Sequence, residues 1–288
     1  MENGVDILDK AICTIVSKTR VHQVLTLYES IVANDISANI FIFCVDEESY
    51  YLLIKIEIPK AIIIDFSNPN DSALIQIKNE RKLNEYCWTL KPIAILYIFD
   101  NYPNINEVIY ADGDIYFFSD PIKLINRIKK WSVILTTHKI NKKANGGFVC
   151  FKRDRTGLDA LNWWKEQCIK WCYAYDDNGN FGDQGHLDKL KRLYKNIYYL
   201  EYLGVNVAPW NQDLYDIKNQ DGTIYVNDCK LIFFHFSGLR MIDKHDYSTC
   251  WKYDTNGFIY DHYIDVLRKK IEEIESIEPG FFDIIFDE

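Results

Sequence analysis

No stretch of this 288-residue chain is apolar for long enough to cross a bilayer. Its longest apolar runs, Ile93–Phe99 and Ala61–Ile64, fall far short of the ~20 residues a spanning helix needs. Met1–Lys10 lacks an apolar core and a cleavage pattern, so no signal peptide is expected. Cysteine occurs at 13, 44, 87, 150, 168, 172, 229 and 250, but never as Cys-x-x-Cys or at short framework spacing. That excludes a disulfide scaffold and fits reduced thiols in a cytoplasmic protein. Cys168 and Cys172, four apart with no histidine nearby, read as core rather than zinc ligands. Positive charge is also sparse. The net charge is −9, and the densest basic stretches, Lys139–Lys143 and Arg268–Lys270, are short, which excludes a nucleic-acid partner. There is no internal repeat, no low-complexity segment and no glycine in Cys13–Arg20.

What is present is the material of a packed globular protein, with 48% hydrophobic and 26% charged residues. Aromatic residues reach 15%, enough to fill a core and to offer flat platforms for sugars or bases. Apolar strands are expected at Ala11–Val16, Asn39–Val45, Ala61–Ile64 and Glu107–Ala111, alternating with helices over Val21–Ala33 and Leu90–Asp100. Such alternation predicts an α/β fold with a mostly parallel sheet covered on both faces, and ligands beyond the strands' carboxyl ends. Further on, Gly147–Phe151 and Lys230–Phe234 read as strands. Asp154 should cap a helix running to about Ala174, with Trp164, Cys168 and Cys172 as its core stripe, and another helix should begin near Asp183. The segment Ile259–Ile277 gathers Ile264, Leu267, Ile271 and Ile274 on one helical face. The expected division is a domain over residues 1–257 and a C-terminal helix and tail over 258–288. That helix either packs on the domain or serves a homodimer or a peripheral membrane contact.

Five stretches carry candidate chemistry. In Val108–Pro121, an apolar strand runs into Asp112 and Asp114, with Gly113 between them to let the backbone bend. Two carboxylates so placed can converge on one hard cation that neutralises a diphosphate. Asp-Gly between apolar runs is equally a β-hairpin turn signal. In Leu231–Arg240, His235 ends an apolar strand and can complete a metal site, while Gly238 with Arg240 or Lys244 can receive phosphate oxygens. A histidine beside phenylalanines is also a common core residue. Asn145 offers a donor and an acceptor to sugar hydroxyls, and Gly146 and Gly147 permit close backbone approach. Asp183 and Gln184 either grip a sugar or, for Asp183, cap the helix that follows. Trp210, after Pro209, can stack on a sugar face or pack locally.

Taken in order, these stretches resemble the nucleotide-diphospho-sugar transferases of the GT-A type, in particular a bacterial branch similar to glycosyltransferase family eight. The matching elements span roughly residues 11–240: Cys13–Ser17, Asp112-Gly-Asp114, Asn145-Gly-Gly147, Asp183-Gln184 and His235-Phe-Ser-Gly238. YADGDIYFFSDP at 110–121, WWKEQCIKWC at 163–172 and NVAPWN at 206–211 belong with them. The resemblance implies a GT-A-type, Rossmann-like sheet and a hexosyltransferase using a nucleotide-sugar donor, UDP-linked by expectation. Mn²⁺ or Mg²⁺ would be held by Asp112, Asp114 and His235. Thr14, Ile15, Val16 and Ser17 would line the base pocket, and Lys91 would sit near the donor sugar or phosphates. Asp183 and Gln184 would act at the sugar, with retention of anomeric configuration. The acceptor would be a glycan or lipid-linked hydroxyl in bacterial surface-glycan synthesis, reached in the cytoplasm or at the inner membrane face. The first strand departs from the family pattern, ending Ser17-Lys18 where an acidic residue and Asn are common. The rival readings are a sugar nucleotidylyltransferase, disfavoured by the glycine-free Cys13–Arg20, and a non-catalytic carbohydrate-binding protein of the same fold.

Overall fold

A computed structural model describes residues 8–250 and 257–283. The first strand, β1 (Lys10–Val16), leads through a short 3₁₀ turn into α1 (Val21–Ala33). Then come β2 (Asn39–Cys44), α2 (Glu47–Ile56), β3 (Ala61–Asp65), α3 (Ser72–Glu80) and α4 (Leu83–Asn101). They are followed by β4 (Glu107–Ala111), β5 (Ile115–Phe117), α5 (Pro121–Arg127), β6 (Val133–Thr137) and β7 (Ala144–Lys152). Next are α6 (Arg155–Lys170), α7 (Gln184–Leu193) and β8 (Ile197–Tyr199). Short strands complete the chain: β9 (Ile217–Gln220), β10 (Thr223–Val226), β11 (Cys229–Lys230), β12 (Phe233–His235), β13 (Leu239–Met241) and β14 (Tyr247–Thr249), before α8 (Gly257–Ile277).

The central sheet has the order β3-β2-β1-β4-β7-β6-β8. Its pairs are parallel except those of β7, which runs against both β4 and β6. The sheet is therefore mostly parallel, as the alternation of apolar runs and helices requires. Strand residues alternate between two cores. Cys13 and Ile15 face α4, α6 and α7, whereas Ile12 and Val16 face α1 and α8. A two-stranded ribbon, β5 with β12, lies apart from the main sheet. On α8, Ile264, Leu267, Ile271 and Ile274 are buried; the helix packs on α1, with Lys270 paired to Glu29 at 3.1 Å. The chain beyond residue 283, including most of the expected tail, lies outside the described residues.

Several boundaries differ from expectation, for physical reasons. α4 begins at Leu83, because Glu85 accepts the Lys82 N–H at 2.9 Å and so closes its first turn. Pro92 then falls inside the helix; burial of Leu90 and Ile95 on either side offsets the one missing donor. Asp154 caps α6 as expected, accepting from the Gly157 N–H at 2.8 Å, but the helix stops at Lys170. Cys172 nevertheless stays buried with Trp164 and Cys168.

Candidate active site

The acidic turn forms because β4 and β5 belong to different sheets. The Asp112 N–H still donates to the Gly147 carbonyl at 2.8 Å, extending the β4–β7 ladder by one residue. The chain then leaves the sheet, and β5 pairs with β12, setting Ile115 opposite His235. The hairpin alternative is thereby excluded: the strands flanking Asp112-Gly-Asp114 are not partners. A distant imidazole is brought to the turn instead. His235 Nε2 lies 3.1 Å from Asp114 Oδ1 and 3.9 Å from Asp112 Oδ2. One ligand atom from each of the three residues lies within 4.8 Å of the others. Two carboxylates and an imidazole so placed are a donor set that can hold a divalent cation. Asn206 Oδ1, 3.4 Å from His235 Nδ1, steadies the ring from behind. Burial disfavours charge on both partners, but their proximity prevails, raising the His235 pKa and lowering that of Asp114.

Lys91, buried in α4, joins the turn to Asp183. Its ammonium lies 3.0 Å from Asp112 Oδ1 and 3.5 Å from Asp183 Oδ2, and donates to the Gly146 carbonyl at 3.1 Å. Burial alone would lower its pKa; Asp112 and Asp183 outweigh that and raise it. The Asp183 pKa is raised, because burial outweighs Lys91. Asp183 stands at the start of α7 but makes no capping bond, so its side chain is free to face Lys91. The two glycines after Asn145 are explained by contact. A β-carbon at 146 would lie 2.2 Å from Asp183 Oδ2, and one at 147 would lie 2.5 Å from His235 Cε1. Only glycine lets β7 pass between the carboxylate and the imidazole.

These groups line a cleft of about 940 Å³ beyond the carboxyl ends of β1 and β4. Ile15, Ser17, Lys91, Asp112, Gly113, Asp114, Asn145, Gly146, Gly147, Asp183, Gln184, His235, Gly238 and Arg240 all face it, and Trp210 stands edge-on to His235 at 5.4 Å. Three expected residues do not face it. Strand alternation turns Val16 into the α1-side core and buries Thr14, whose side-chain oxygen lies near Gly113. Lys244 is drawn away to Glu275 at 2.9 Å and Asp283 at 3.5 Å. Sequence reasoning missed Arg20, Gln23, Trp88 and His138, which line the same cleft. His138 contacts Asn145 at 3.2 Å and packs on Trp210. A strand over residues 133–137, had it been read, would have marked His138 by its carboxyl end. Nothing local marks Arg20.

No protein-family model matches the chain. The Bacillus subtilis (strain 168) protein YfnF, uncharacterized, is 30% identical over 293 residues, covering 95% of this chain and 97% of YfnF. YfnD of the same organism, also uncharacterized, is 29% identical over 287 residues, 94% and 92% of the two chains. Among solved structures, the galactosyltransferase LgtC, in complex with donor and acceptor sugar analogues, aligns with a TM-score of 0.61 at 12% identity over 90% of this chain and 95% of LgtC. The glycosyltransferase GlyE of Streptococcus pneumoniae TIGR4 aligns with a TM-score of 0.56 at 13% identity, over 93% of this chain and 64% of GlyE. The architecture is the GT-A glycosyltransferase fold.

Proposed function

The chain belongs to the family of the Bacillus subtilis protein YfnF, and we propose that it is a metal-dependent glycosyltransferase using a nucleotide-diphosphate sugar, UDP-linked by expectation. The observation that carries this reading is the convergence of Asp112, Asp114 and His235 at the mouth of a cleft on a GT-A sheet. A divalent ion held by these three residues would supply positive charge to the departing diphosphate. The chain's own residues do the rest. Lys91 holds Asp112 and Asp183 in place and adds a positive charge beside the reacting sugar. Asp183 and Gln184 orient the donor sugar, with Asn145 and the Gly146–Gly147 backbone beside them in the cleft lining. Ile15 and Ser17 form the floor of the base pocket.

Retention of anomeric configuration is the outcome this reading favours, with a glycan or lipid-linked hydroxyl of a bacterial surface polysaccharide as acceptor. The transferase unit occupies residues 1–257, braced by the C-terminal helix. Incubation with UDP-hexoses and Mn²⁺ should release UDP slowly in the absence of acceptor, and a chelator should stop it. A panel of UDP-, GDP- and dTDP-sugars that gave neither turnover nor metal-dependent binding would overturn the reading.

A further inference from the structure

The β6–β7 ladder shifts register between Leu135 and Thr136, which sets Asn145 opposite Thr136 and leaves residues 146–148 unmatched on β6. A shift of this kind re-aims side chains. Here it brings the ring of His138, just past the end of β6, against the Asn145 amide. Both residues line the cleft, and Asn145 is only 5% exposed. The orientation of that amide follows from its neighbours. The Gly147 N–H, 3.0 Å away, can only donate, so the atom facing it is Oδ1. Asn145 Nδ2 is then left to donate to His138 Nε2 at 3.2 Å, and that nitrogen must carry the lone pair. His138 Nδ1, 3.3 Å from the Lys143 carbonyl, must carry the proton. An amide turned the other way would set two donors against each other at Gly147. The hairpin does not need this chain of bonds, because the His138 backbone N–H already donates to the same Lys143 carbonyl at 3.0 Å. Burial lowers the His138 pKa against the pull of that carbonyl and so favours the neutral ring. Trp210 packs against the ring at 5.2 Å and limits its movement.

We propose that His138 is a positioning residue: its Nδ1–H tautomer pins the Asn145 amide with the carbonyl turned to Gly147 and the second Nδ2–H left for a bound ligand. A free asparagine could offer a ligand either a donor or an acceptor. Held in this way Asn145 offers a donor, so the ligand atom it meets is a lone-pair oxygen such as that of a sugar hydroxyl. Naming that ligand the donor sugar rests on the transferase reading; the tautomer and the amide orientation do not.

The tautomer is read in the full-length, ligand-free wild type from the two-bond ¹H–¹⁵N couplings of its histidine rings, assigned with H138Q. Nδ1–H is expected, and an Nε2–H ring would overturn the proposal. The consequence for binding is read by calorimetry with Mn²⁺, using UDP-glucose, GDP-mannose and dTDP-glucose, each beside its parent UDP, GDP or dTDP. For the nucleotide sugar that binds, H138L should weaken affinity about 3–10-fold, the loss of one hydrogen bond. Affinity for the parent nucleotide should stay within about twofold. A general structural loss would weaken both alike and would defeat the positioning role. H138Q, whose side-chain oxygen can accept from Asn145 Nδ2, should keep most of the sugar-dependent affinity. In an N145A background H138L should cost nothing further, and additive losses would count decisively against the coupling. Nucleotide-sugar binding unmoved by H138L would sink the positioning role alone. An Nδ1–H ring in a protein that binds none of the three nucleotide sugars would sink the transferase reading alone.

Discussion

Gly146 and Asp183 touch so closely that a methyl group on the first must displace the carboxylate of the second: the added carbon would stand 2.2 Å from Oδ2. G146A should therefore swing Asp183 away from Lys91 while leaving the three metal-binding candidates in place. Donor turnover should fall at least about tenfold, equivalent to ~1.4 kcal/mol of barrier. Mn²⁺ affinity, followed by calorimetry, should stay within about twofold. Unchanged turnover would show that Asp183 takes no part.

Replacing Asp114 by Ala removes the carboxylate nearest His235, 3.1 Å away. Mn²⁺ binding should weaken by at least about tenfold, by the scale seen when a site's supporting groups are lost, and metal-dependent turnover should vanish. Titration of Mn²⁺ followed by electron paramagnetic resonance checks the first expectation independently of the second. Wild-type metal affinity in D114A would refute the ligand set.

Lys91 pairs with both Asp112 and Asp183, so K91M leaves the two carboxylates facing an apolar neighbour. Removing one member of a buried ionic group costs about 3–5 kcal/mol, read as a lower urea midpoint. Adding D183N to K91M should recover part of that loss by removing one orphaned charge. A double variant no more stable than K91M would argue against the coupling.

His22 is buried with neither ring nitrogen hydrogen-bonded, and burial, helped by Arg20, brings its pKa down from 6.5 to about 3. The folded chain keeps the ring neutral, while the unfolded chain takes up a proton below pH 6.5. Stability is therefore full above that pH and declines as pH drops through the window towards 3. At pH 5.5 the loss from this residue should be about 1–1.5 kcal/mol, since one unit of pKa shift is worth ~1.4 kcal/mol. Urea unfolding of wild type and H22L at pH 7.5 and 5.5 measures it; equal pH slopes would rule His22 out.

The same dipeptide shows how far the sequence could be read. Asp112-Gly113 and Asp221-Gly222 both carry the hairpin signal, yet only the second joins paired strands, β9 and β10. The first is pulled open because β5 finds its partner in β12, a choice made by distant residues that no local window contains. Long apolar strands and the exact span of α1 were legible because burial on both faces writes them as continuous runs. The polar β9–β11 sheet was not, since its strands are short and mostly exposed. Within the site, the metal-binding candidates were visible as strand-end residues. Thr14 and Val16 were misplaced by ignoring strand alternation, and Lys244 by a partner on α8 that appears only after folding. Arg20 and His138 became visible only when the sheet brought their loops to one cleft.

The β5–β12 ribbon has a consequence for the order in which the protein matures. The acidic turn is synthesised early, but its imidazole emerges from the ribosome only after the whole middle of the chain has been made. A nascent or truncated chain ending before Phe233 would carry the aspartates with no ring to meet them. Closing so long a loop is entropically slow, so competence to hold a metal should arise late in refolding, after the central sheet has formed.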